Sequence, residues 1–97
     1  MSFMGIGEQV IEEIKSLAQQ HDVEKVILFG SRARGDYCRA SDIDLAVSGG
    51  NVMGFTLDVE EKTSTLLTYD VIDLNKELQA GFREVIEKEG KILYEKI

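Results

Sequence analysis

Apolar residues recur early in the chain at Ile6, Val10, Ile11, Ile14, Leu17 and Ala18, and Glu8, Glu12, Lys15 and Gln19 fall between them. Spacings of three and four put the apolar set on one side of a helix, so the pattern predicts an amphipathic helix over residues 6–20. His21 would then be an exposed residue at its C-terminal end. The pattern changes at Val26, Ile27, Leu28 and Phe29, a continuous apolar run ended by Gly30. Such a run reads as a short buried strand. The polar stretch SRARGDYCRAS, residues 31–41, reads as a turn with room for one helical turn at its start. In SDIDLAV, Asp42, Asp44 and Ala46 alternate with Ile43, Leu45 and Val47, which is the period of a second strand.

Beyond it, SGGNVMG is a loop with Gly49 and Gly50 as breakers. Residues 55–67 read as a second helix interrupted by threonines, and TYDVIDL, residues 68–74, as a third strand. A third helix is expected from Asn75 or Lys76, with Leu78, Phe82, Val85 and Ile86 on one face and Gly90 as its stop. KILYEKI reads either as a last short strand or as a frayed tail. Helices interspersed with strands predict a small α/β or α+β domain, a mixed sheet flanked by helices, spanning residues 1–97 as one unit.

Composition narrows the functional classes. With 97 residues, 43% hydrophobic and 30% charged, the chain suits one soluble domain with one modest core. No apolar run approaches the roughly 18 residues of a membrane helix. The N-terminal residues lack the basic-then-apolar pattern of a signal peptide, so a cytoplasmic protein is expected. Cys38 is the single cysteine, and it cannot form an internal disulfide. Eleven basic against 18 acidic residues give a net charge of −7, which argues against stable binding of nucleic acid.

The chemistry concentrates between Gly30 and Asp44. A buried strand running into Gly30-Ser31 allows a tight turn and close approach of the backbone to a ligand. If Ser31 opens a helical turn, its hydroxyl and free N–H groups suit phosphate oxygens, and Arg32 and Arg34 beside it can add positive charge. Asp42 and Asp44, two apart on a strand, share a face about 7 Å apart along the chain. Paired like charges are costly unless neutralised, and a divalent cation such as Mg2+ removes that cost. A third acid is expected from TYDVIDL, where Asp70 and Asp73 point to opposite faces. Periodicity does not choose between them.

Gly30-Ser31, ten intervening residues, then Asp42-Ile43-Asp44 resembles the signature of the nucleotidyltransferase superfamily that includes DNA polymerase β, kanamycin nucleotidyltransferase and poly(A) polymerases. The small size resembles its minimal nucleotidyltransferases. Within that family the third acid sits in a hydrophobic-Asp-hydrophobic pattern. Tyr69-Asp70-Val71 fits it best, although Ile72-Asp73-Leu74 fits too. The resemblance implies two Mg2+ ions held by Asp42, Asp44 and Asp70, with an NTP, by expectation ATP, bound through Gly30, Ser31, Arg32 and Arg34. It further implies AMP transfer to a helical partner of the HEPN type, the chain serving as an antitoxin. The alternative is a weak or inactive domain that only sequesters such a partner.

Overall fold

The computed structural model describes residues 2–3, 5–38, 40–76 and 78–96. Its first element is one that periodicity does not foresee. Strand β1 (Ser2–Phe3) pairs antiparallel with β2 (Ile6–Gly7), and Gly5 turns between them at φ +76°. Helix α1 therefore spans Glu8–Gln20 rather than starting at Ile6. Gly7 is extended at φ −63°, ψ 150°, so the chain turns helical only at Glu8, whose charge complements the helix N-terminus. Ile6 is buried all the same, from a strand instead of a helix. Val10, Ile14, Leu17 and Ala18 form the buried stripe of α1.

Four strands make the main sheet: β3 (Lys25–Phe29), β4 (Ile43–Ser48), β5 (Tyr69–Asp73) and β6 (Lys91–Glu95), in the order β5-β4-β3-β6. Strand β4 is antiparallel to β3 and parallel to β5, and β6 is antiparallel to β3, so the sheet is mixed. A parallel pair needs a crossover. Helix α3 (Val52–Lys62) supplies it and joins α1 on one face of the sheet. That face holds Val26, Leu28, Ile43, Leu45 and Val47, packed with Phe55 and Val59 of α3. Helix α4 (Phe82–Glu89) lies on the opposite face, where Ile27, Ala46, Leu74 and Ile86 form a second cluster. The Phe29 and Phe82 rings meet edge-to-face there, 6.0 Å between centroids. KILYE resolves as a true strand, with Leu93 buried.

Two further helices start elsewhere than the sequence pattern places them. Helix α3 begins three residues before Phe55, because Asn51 Oδ1 accepts the Gly54 N–H at 3.1 Å and caps the first turn. It stops at Lys62, where the hydroxyl of Thr63 donates back to the Val59 carbonyl and the chain turns extended. Helix α4 begins only at Phe82, after Gly81 at φ +83°, because Asp73 Oδ1 accepts the Asn75 N–H at 2.8 Å and closes a turn there. Leu78 still packs into the second cluster, from a loop.

His21 also departs from expectation. Its side chain is only 19% exposed, and Nε2 lies 2.7 Å from Asp58 Oδ2 on α3. Gly54 leaves room for the ring, since a Cβ there would meet it. The hydrogen bond with His21 holds the Asp58 carboxyl below its ordinary value, with Lys62 adding to the effect. A lowered carboxyl contributes stability above the unfolded value, about pH 4, and loses it as pH falls through the folded value. Wild type should therefore melt above Asp58→Asn at about pH 6, with the gap narrowing as the pH is taken below about 4 in thermal scans. An equal gap at both ends would show that the bond does not stabilise the α1–α3 junction.

Candidate active site

Strand β3 ends at Phe29, and Gly30 follows at φ +77°, ψ −156°, a backbone region essentially reserved for glycine. The chain then forms α2 (Ser31–Arg34), one short helical turn closed by Gly35 at φ +91°. Gly35 and Asp36 both donate their N–H groups to the Ser31 carbonyl, at 2.9 and 3.1 Å. Phe29 pairs with Asp44 in the β3–β4 register, which brings the turn alongside that acid. The approach is close enough that a Cβ on Gly30 would strike the Asp44 carboxylate.

The parallel register of β4 and β5 sets Asp44 directly opposite Asp70. Paired positions of neighbouring strands present their side chains to the same face, on chains about 4.8 Å apart. Asp42 lies one residue before β4 and is exposed, with its Oδ1 accepting the Thr68 hydroxyl. Partial burial pushes the Asp44 carboxyl up, the charges of Asp70 and then Asp42 add to that, and Arg34 and Arg32 offset part of it. Asp73 pairs with Val47, whose side chain is buried in the α1–α3 core, so it belongs to the other side of the sheet. Asp70 shares the face of Asp44, whereas Asp73 closes the turn after β5.

These acids suit a hard divalent cation. Among the described residues no three His, Cys, Asp or Glu side chains form a cage that could hold an ion unaided. Mg2+ rarely uses such a cage. It keeps several waters and is held by one or two carboxylates plus the phosphates of its substrate. A half-buried carboxylate with its charge opposed by two neighbours, beside a turn whose Gly30 carries no side chain, matches that requirement.

The two arginines separate. Arg34 is exposed and reaches Asp36 at 3.4 Å and Glu89 of α4 at 3.8 Å. Arg32 is 1% exposed, with Nε and Nη2 donating to the Ser41 carbonyl at 3.1 and 2.8 Å. Its guanidinium lies 4.9 Å from the centre of the Tyr37 ring. The expectation that both arginines flank a bound phosphate thus meets a structure that commits Arg32 to the protein's own loop. Thr68 is a site neighbour that sequence reasoning passes over. Its tie to Asp42 spans 26 positions and rests on strand register, which leaves no local signal.

No helix among the described residues is long and apolar enough to cross a membrane. The family described as "Polymerase beta, Nucleotidyltransferase" matches residues 12–97. A protein of Methanocaldococcus jannaschii named "Putative protein adenylyltransferase" is 36% identical over 81 residues, covering 74% of this chain and 79% of that protein. Two crystal structures share the fold. One is a mutant MntA–HpeT toxin–antitoxin, with TM-score 0.68 at 21% identity, covering 89% of this chain and 73% of that one. The other is a toxin–antitoxin with AMP-PNP, with TM-score 0.69 at 23% identity and the same coverage. With the family matched over residues 12–97 and that fold around the Gly30-Ser31 turn and its acids, the chain belongs to the polymerase β nucleotidyltransferase family and is a nucleotidyltransferase.

Proposed function

We propose that the chain transfers AMP from ATP to a hydroxyl on a helical protein partner of the HEPN type, in the cytoplasm, and so acts as an antitoxin. The observation that carries this reading is the register that sets Asp44 opposite Asp70 beside the Gly30-Ser31 turn. The M. jannaschii relative, named "Putative protein adenylyltransferase", supports a protein as acceptor, and the toxin–antitoxin fold neighbours support the setting.

In this mechanism Asp42, Asp44 and Asp70 would hold Mg2+ together with the phosphates of the nucleotide. The ions, when bound, neutralise charge on the α-phosphate and on the departing pyrophosphate. The Ser31 hydroxyl and the backbone of the Gly30-Ser31 turn bind the β- and γ-phosphates, and Arg34 adds positive charge at the rim. Asp70 orients the acceptor hydroxyl and takes its proton. The acceptor oxygen bonds to the α-phosphorus, the bond to the pyrophosphate oxygen breaks, and pyrophosphate leaves with the electron pair.

The test is incorporation of α-labelled AMP into the co-purified partner in the presence of Mg2+. Wild type should label it, and Asp42→Asn should lose at least about 100-fold in rate while still binding the partner. A wild-type protein that binds the partner tightly and transfers no label would identify a sequestering module instead.

A further inference from the structure

We infer that Arg32 is a positioning residue for the transfer, setting the place of Asp42 by anchoring the loop that delivers it. This rests on the reading of the acids given above. The loop from α2 to β4 has exposed residues at 34–38 and again at 40, so it has little packing to hold its shape. It ends at Ser41, whose carbonyl receives both Nε and Nη2 of Arg32, and Asp42 is the next residue. One planar guanidinium gripping one carbonyl oxygen from two nitrogens fixes that oxygen in direction as well as distance.

Arg32 is itself fixed. Its guanidinium lies against the Tyr37 ring, which tethers the middle of the same loop. The β1–β2 turn closes over both, since a Cβ on Gly5 would meet Arg32 Nη1 and the Tyr37 ring. A short local bracket, Cys38 N–H to Ser41 Oγ at 2.9 Å and Ser41 N–H to the Cys38 carbonyl at 3.1 Å, shapes the loop end but ties it to no other element. The deep attachment comes from Arg32. On its far side Asp42 accepts the hydroxyl of the exposed Thr68, while its charge and that of Asp44 repel, so a loose loop would let it drift outward, and a bound cation would first have to bring it back.

Arg32→Lys tests this, because lysine keeps the charge and loses the fork. Three quantities are measured: amide hydrogen exchange of residues 36–42 without metal, half-saturating Mn2+ by electron paramagnetic resonance with ATP present, and ATP affinity at saturating Mn2+. Exchange should quicken and half-saturating Mn2+ should rise on the order of 10-fold, with ATP affinity within about 2-fold of wild type. Weakened ATP affinity with unchanged exchange and metal requirement would overturn the inference and make Arg32 a phosphate ligand. No change in any of the three would overturn it as well. Should Arg32→Lys not fold, Tyr37→Ala carries the test, with the same split expected at about 3-fold. Wild type that takes up no Mn2+-ATP would remove the transferase mechanism and the positioning role together. Wild type that takes it up while the variants match it removes the positioning role alone.

Discussion

Asp44→Asn should abolish nucleotidyl transfer, lowering the rate by about 1,000-fold or more, and should raise the melting temperature of the metal-free protein. Both effects have one cause. Asp44 is the most enclosed of the three acids, and its carboxyl is pushed up by burial, then by Asp70 and Asp42. A carboxyl raised in the fold costs stability where it is ionised, and the cost disappears as pH falls through the raised value and the group takes up a proton. Asparagine keeps the shape without the charge. At neutral pH the gain should be about 2–4 °C, reduced by the site's contact with solvent. It should shrink toward zero in acid. Mg-ATP should reverse the order, because it stabilises only a protein that binds it. Differential scanning fluorimetry with and without Mg-ATP checks all of this, and a variant stabilised by Mg-ATP as strongly as wild type would show that Asp44 does not hold the metal.

The second large effect is expected at the turn. Gly30→Ala should lower the melting temperature by about 5–15 °C and reduce transfer far more than that loss explains. Gly30 has φ +77°, and an added Cβ would also meet Asp44 Cγ at 3.1 Å and Cβ at 3.3 Å. Backbone strain there costs about 1–3 kcal/mol. The contact matters more for function, since the Asp44 carboxylate would have to move from its place opposite Asp70. Gly35→Ala is the comparison. Gly35 has φ +91°, with nothing within 4 Å of an added Cβ. That variant should carry the strain and retain activity. Equal activity losses in the two variants would mean that close approach to Asp44 is not why glycine stands at position 30.

Much of this architecture is written locally. The apolar run of β3, the alternation that buries Ile43, Leu45 and Val47, and the spacing of Val10, Ile14 and Leu17 each specify their element, because the period of burial follows from backbone geometry. The same rule predicts one face for Asp42 and Asp44, although β4 begins only at Ile43, and glycine before Ser31 marks a tight turn in any strand that ends there. Element ends are less legible. Helix α3 starts early through a cap on Gly54, and the turn at Gly5 takes Ile6 out of α1, both by hydrogen bonds and dihedrals rather than by period.

Other features belong to the tertiary structure alone. Alternation assigns Asp70 and Asp73 to opposite faces but cannot say which one meets Asp44, because that depends on how a parallel strand slides into register after a crossover helix. Arg32 and Arg34 are equivalent as residue types. One helical turn points the first under the β1–β2 turn and leaves the second in solvent, and only the packing of that hairpin distinguishes them. Residues close in sequence reveal which chemistry is available. Where it converges is decided by contacts between distant segments, whose energies no local pattern records.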